Sequence, residues 1–192
     1  MGRPRTYTRD AVLEKAMGAF WQNGYKATSV NDIVRESGLN TASLYKEFGD
    51  KDGIFLEALE YYRGHVIGPR YQILRDNPDM AGVETFLKNV MKGAEKSEYK
   101  GCLMMNHLAQ KHVIGPEAAE KIGAFCSEIE SLVERALRNA QADGDLGPDK
   151  DPALLASFVV FCIHGTVLYG RHHDNKHLFP MLYETVMHAI RN

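Results

Sequence analysis

Apolar residues recur along this chain at three- and four-residue intervals nearly from end to end, which is the period of helices. Val12, Leu13, Ala16, Met17 and Phe20 form one stripe. Thr8 stands before it as a cap, Asp10 falls in its first turn and Gly24 closes it, so a helix is predicted over residues 8–23. Trp21 and Tyr25 at its end close a small core. Val30, Ile33 and Val34 give a short second helix one apolar face, and Thr28 or Ser29 can cap it. Ser37-Gly38-Leu39 makes a turn in which Gly38 suits a left-handed C-cap. Asn40 or Thr41 opens a third helix whose Leu44 and Phe48 face inward, four residues apart. A fourth runs from Lys51 to about Val66, capped by Gly49-Asp50, with Ile54, Phe55, Ala58, Leu59 and Tyr62 on its apolar face.

The same pattern continues beyond. Gly68-Pro69 punctuates the connection over residues 64–78. Val83 to Tyr99 keeps helical spacing until Lys100-Gly101 interrupts it, and Cys102 to His112 is short and very apolar. Gly115-Pro116 opens a long helix, since proline is tolerated in a first turn; Ile122, Phe125, Ile129, Leu132, Val133 and Ala136 are its buried face. After a polar loop over residues 142–148, Asp151-Pro152 caps a helix that is apolar nearly all round through Leu168, the pattern of a helix buried on most sides. A last helix near Pro180 to Ile190 carries Met181, Leu182, Val186, Ala189 and Ile190. No strand pattern or internal repeat is visible. The expected fold is all-α with about nine helices: a helix-turn-helix unit over residues 6–66, its two short helices at about 29–48, then a second helical domain over 67–192. The last two helices are too apolar to face water. A two-fold dimer, with four helices bundled across the axis, is the economical way to cover them.

Composition narrows the function. Of 192 residues, 44% are hydrophobic and the net charge is −2, so this is no polycation that coats nucleic acid. Its charge is unevenly spread. Residues 1–51 carry 8 Lys/Arg against 6 Asp/Glu, whereas the remainder carries 15 against 19. Arg3, Arg5 and Arg9 come before any acid, and Pro4 keeps the tip extended enough for a minor groove. Cys102, Cys126 and Cys162 are odd in number and far apart, which is no disulfide framework and fits a reducing compartment. The N-terminus has no apolar signal core, and Ala153 to Ile163 is shorter than the ~20 residues that span a bilayer. A soluble, cytoplasmic protein is expected. Nothing resembles a nucleophile–base constellation, a glycine-rich phosphate loop or a metal box, so neither an enzyme nor a cofactor is expected. His172-His173 with His177 suit a helix C-terminus, whose dipole they offset, better than a metal.

On the third helix the residues that do not face inward are small, hydroxylated, aromatic and cationic, a set that suits a DNA groove. The run T-S-V-x-D-I-V-x-x-S-G-L from Thr28 to Leu39, followed by A-S-L-Y-x-x-F-x-D-K-D from Ala42 to Asp52, resembles the DNA-binding segment of the TetR family of transcriptional regulators. One position departs from that resemblance: Glu47 stands where many members carry histidine. A carboxylate is unhelpful beside phosphates, so Glu47 is expected to turn aside or hold a nearby lysine. The resemblance and the helix geometry together place Arg3, Arg5, Thr28, Tyr45 and Lys51 on phosphates or in the minor groove, and Thr41, Ala42, Ser43 and Lys46 toward bases. Lys51 would add its charge to the N–H groups of a helix N-terminus.

The middle helices, about 83 to 142, are expected to enclose an effector pocket. Met91, Met104, Met105 and Phe125 are soft or large apolar linings, and His107, His164 and Tyr169 are candidate polar contacts. Cys102 lies in K-G-C-L-M-M-N at an expected helix start beside Lys100, a setting that favours a reactive thiol. The function expected is a ligand-responsive repressor. It would bind a palindromic double-stranded operator as a homodimer and be released by a small molecule or a thiol-reactive signal. The alternatives are an activator of the same fold and a helical small-molecule-binding module that never meets DNA. Salt-dependent duplex binding separates the latter.

Overall fold

The computed structural model describes residues 7–96, 99–171 and 177–192, and among them every regular element is helical. The first unit is built by local capping. In α1 (Arg9–Asn23), the Thr8 hydroxyl accepts the N–H of Ala11 at 3.3 Å. In α2 (Val30–Ser37), Ser29 rather than Thr28 is the cap. Its Oγ accepts the Asp32 N–H at 3.1 Å while the Asp32 carboxylate accepts the Ser29 N–H at 2.9 Å, a reciprocal capping box. The hydrogen bonds from Ser29, with Arg35 close by, hold the Asp32 carboxyl down to about 2. Gly38 ends α2 at φ 70°, a conformation that glycine adopts at little cost. Asn40 caps α3 (Thr41–Phe48) through the Ser43 N–H at 2.8 Å, and Asp50 caps α4 (Lys51–Tyr62) through the Gly53 N–H at 2.8 Å. The four helices close on Leu13, Ala16, Phe20, Ile33, Leu44, Phe55 and Leu59, all buried.

Beyond Tyr62 the rod does not stop where a connection was expected. Arg63–Ile67 widens into a π turn, in which the Gly68 N–H reaches the Arg63 carbonyl, and α5 (Gly68–Asp76) continues from it. Gly68-Pro69 therefore opens a helix instead of breaking one: Pro69 sits in the first turn, where a missing N–H leaves no bond unmade. The segment is held from outside by Glu128, which binds Arg63 at 3.0 Å and also Arg75.

The second unit comprises α6 (Met80–Ala94), α7 (Leu103–Leu108), α8 (Lys111–Ile114), α9 (Pro116–Ala142), α10 (Pro152–Tyr169) and α11 (Leu178–Arg191). Eleven α-helices are thus described against about nine expected. Residues 68–76 are helical, and the stretch from Cys102 to His112 divides into α7 and α8 at Ala109-Gln110. α6 stops at Ala94 rather than Tyr99, and α11 starts before Pro180, which falls in its first turns.

α10 also corrects the sequence reading. It has 18 residues, enough by length and composition to cross a membrane, and it is not buried on most sides. Val159, Val160, Ile163 and Val167 pack inward on α9 and α6. Leu154, Phe158, Phe161 and Leu168 point outward, with Phe161 72% exposed, and Met181 of α11 is 64% exposed. A helix apolar all round therefore presents one face to the core and another to the outside.

Candidate nucleic-acid interface and interior cavity

The outer side of α3 carries the first candidate site. Leu44 and Phe48 anchor the helix in the core, and this fixes what points away. Thr41, Ala42 and Lys46 are exposed, Ser43 is half-buried, and Tyr45 is 45% exposed. Lys51, one turn beyond, is half-buried, with its Nζ 4.3 Å from the centre of the Tyr25 ring. Burial lowers its pKa, partly offset by Asp52. The Tyr25 hydroxyl donates to the Asp52 carboxylate, and burial followed by that bond pushes the phenol up to about 12. Arg3 and Arg5 lie outside the described residues.

Thr28 is placed differently from the expectation. It is fully buried, and its hydroxyl donates to the carbonyls of Gly24 at 2.8 Å and Ala19 at 3.2 Å. It fastens the end of α1 to the start of α2, so its side chain is not presented to a phosphate. Glu47 turns aside as expected, but its partners are an arginine and a phenol rather than a lysine. Its carboxylate accepts from Tyr7 Oη at 3.2 Å and pairs with Arg9 Nε at 3.6 Å. Arg9 also pairs with Glu57 at 3.1 Å and lies over the Phe48 ring. Tyr7 was not singled out in the sequence. Its only local signal is its place directly before a helix cap.

The second candidate site is interior. A cavity of about 60 Å³ lies between α4, α5, α6, α7, α9 and α10. Cys102, Met105, Phe125 and His164 line it, as does Met104. Three other expected contacts do not. Met91 is buried on α6, where its sulfur accepts the Thr166 hydroxyl at 3.5 Å. His107 points the other way, toward the first unit, with Nδ1 2.7 Å from the Leu103 carbonyl. Tyr169 is exposed at the end of α10. The sequence reading also missed Tyr62, Arg70, Tyr71 and Cys126, which share the lining. Their spacing is ordinary for core or surface positions, and only the assembled packing brings them together.

The chemistry of this cavity is phenol, thiol, one imidazole and one guanidinium on an otherwise apolar wall. Burial first, then the neighbouring Cys102, raises the Tyr62 phenol well above its ordinary range. Tyr71 is raised likewise by burial, and its hydroxyl donates to the Phe125 carbonyl at 3.4 Å. Burial pushes the Cys126 thiol up. Burial lowers His164, with Glu130 opposing, so the imidazole is neutral at pH 7. About 60 Å³ is the share of roughly two waters in the liquid, so a larger guest must displace side chains, the two methionines being the softest. His172 and His173 lie outside the described residues, and among those described no group of three His, Cys, Asp or Glu is placed to hold a metal.

Comparison with known proteins meets this geometry at both ends. Residues 12–58 match the family of bacterial regulatory proteins, tetR family, and residues 80–185 match the tetracyclin repressor-like C-terminal domain. The transcriptional repressor ComR of Escherichia coli (strain K12) is 30% identical over 173 residues, which are 88% of this chain and 82% of ComR. The transcriptional repressor BdcR of the same organism is 30% identical over 121 residues, 62% of this chain and 60% of BdcR. Among solved structures, a cysteine mutant of the regulator CifR in complex with 26 bp double-strand operator DNA superposes with a TM-score of 0.86 at 29% identity, covering 97% of this chain and 99% of that one.

Proposed function

The chain belongs to the TetR family of bacterial regulatory proteins, and on that premise we propose that it is a ligand-responsive transcriptional repressor that holds a palindromic operator as a homodimer. The observation that carries the reading is the exposed side of α3. A tyrosine beside a fully buried leucine stands 45% exposed, between a capped helix start and a lysine, where no intramolecular packing requires it. Similarity to named repressors, and to a regulator seen on its operator, supports the same conclusion. The DNA-reading domain takes residues 6–66 and the effector and dimer domain 67–192. Thr41, Ala42, Ser43 and Lys46 face bases. Tyr45, Lys51 and the arm with Arg3 and Arg5 contact phosphates or the minor groove.

The bare faces of α10 and α11 supply the dimer. Joined across a two-fold axis, they bury Leu154, Phe161 and Met181 and set two copies of α3 about one DNA turn, ~34–36 Å, apart. The effector acts from the interior cavity. Tyr62 forms part of its wall and is also the last residue of α4, the helix that carries the DNA-reading unit. A small molecule, or a modification of Cys102, displaces that wall and with it the spacing of the half-sites. A coupling of ~1–3 kcal/mol suffices, since it changes affinity about 5–150-fold. A regulator with free thiols that reads DNA works in the cytoplasm.

A mobility shift on the palindrome nearest the protein's own gene tests the proposal. The wild-type chain should shift it with strong salt dependence, and Tyr45→Ala should not at the same concentration. A variant that binds as well as wild type would remove α3 from the interface.

A further inference from the structure

Outside the interior cavity lies a second, larger opening of about 610 Å³, within the range of small-molecule sites. It sits at the junction of the two units. Trp21 comes from α1, Tyr62 from the end of α4, Arg70 from α5, and Tyr99 and Lys100 from the segment before α7. Among the described residues none that lines it is acidic, and Lys96 joins Arg70 and Lys100 in the lining. Arg70 and Lys100 enter none of the ion pairs among the described residues. Trp21 Nε1 is buried and has no hydrogen-bond partner among those residues, although a buried indole N–H normally finds one. The indole ring meets the Tyr62 ring edge-on at 5.0 Å, so the aromatic wall is already ordered.

We propose that this cleft binds an aromatic carboxylate. The guanidinium of Arg70 takes the carboxylate as a fork and Lys100 adds charge at the mouth. The rings of Trp21, Tyr62 and Tyr99 flank the ligand's own ring. A phosphate would use the cations and leave the rings idle; a neutral aromatic would do the reverse. Only a ligand that is both flat and anionic answers the whole lining. The cleft is distinct from the interior cavity but shares Tyr62 and Arg70 with it, so occupancy of either site reaches the other.

Trp21 is the chain's single tryptophan, so its emission reports this cleft directly and needs no DNA. Full-length protein is titrated with sodium benzoate at constant ionic strength, with benzamide and inorganic phosphate as matched probes. Benzoate should change the Trp21 emission saturably. The half-saturating concentration should be at least about tenfold higher for benzamide, as expected for loss of a charge-assisted pair. Arg70→Gln should raise it about tenfold, and the exposed Lys100→Gln about threefold, with helical circular dichroism unchanged. Lys100→Gln decides the matter if Arg70→Gln does not fold. A non-saturating response, an equal response to benzamide or phosphate, or indifference to these substitutions overturns the assignment while leaving operator binding untouched.

Discussion

The imidazole of His107 lies against the ring of Phe55 with centroids 4.9 Å apart, so the short helix α7 rests on the core of the DNA-reading unit. Its Nε2 is buried without a hydrogen-bond partner among the described residues. Burial lowers the pKa of His107, opposed by its bond to the Leu103 carbonyl, and burial also lowers that of His164. In the unfolded chain both take up a proton near the ordinary value of 6.5. Because the folded values lie lower, the unfolded state binds more protons between the two. Stability is therefore full above the unfolded value and falls as pH drops toward the folded ones. Urea unfolding at about pH 7.5 and about pH 5.5 should show this loss, and His107→Phe should make it smaller.

Tyr45 and Lys46 give the cleanest separation of function from fold. Both side chains are exposed on α3, so replacement by alanine should change folding stability by less than about 0.5 kcal/mol. Operator affinity should fall at least about tenfold for Tyr45→Ala. For Lys46→Ala the loss should be about 1–3 kcal/mol, accompanied by relaxed preference at one base pair. Titration of a panel of operator variants measures both effects.

Thr28 should behave in the opposite way. Its hydroxyl is spent on two carbonyls inside the core, so Thr28→Val should cost about 1–2 kcal/mol in urea unfolding. The variant that remains folded should bind operator within about twofold of wild type. A large affinity loss without a stability loss would return Thr28 to the phosphates.

Gly38 tests the turn between α2 and α3. At φ 70°, with open space around a would-be Cβ, the cost of a side chain there is backbone strain alone. Gly38→Ala should destabilise by about 1–2 kcal/mol, and Gly38→Asn by less, since asparagine tolerates this conformation better. Thermal unfolding followed by circular dichroism ranks the three proteins.

Phe161 probes assembly. A charge placed at this 72% exposed position leaves the monomer's core alone. Phe161→Arg should sediment as a monomer with wild-type helix content and should no longer shift the palindrome. Retention of the dimer would move the interface off α10.

The legibility of this chain differs between its halves for a physical reason. Thr8, Ser29, Asn40 and Asp50 cap helices within three residues of themselves, so the first four helices are written in local chemistry. Thr28 and Ser29 are chemically equivalent caps, and the carbonyls of Gly24 and Ala19 at the end of α1 draw Thr28 inward. Gly68-Pro69 resembles a breaker because the residue that steadies the helix around it, Glu128, lies far along the chain. The cavity is harder still. Helical phase shows that Met91, Met105, His107 and Phe125 turn inward, but not which neighbouring helix each will meet. Cys102 faces Tyr62 through the placement of α7, a six-residue helix with no side-chain hydrogen bond at its cap. The outward face of α10 was hidden by its own uniformity, since a helix apolar all round gives no phase to read.

The widened turn at Arg63–Ile67 has a consequence for chain length. A π turn houses one residue more than an α turn while keeping the flanking segments on their original faces. Deleting the exposed Gly64 should let the rod relax into continuous α geometry, with Tyr62 and Tyr71 still pointing where they do now. The same deletion one turn earlier, inside α4, would swing everything before it by roughly 100° about the axis. The two half-sites would then fall out of alignment.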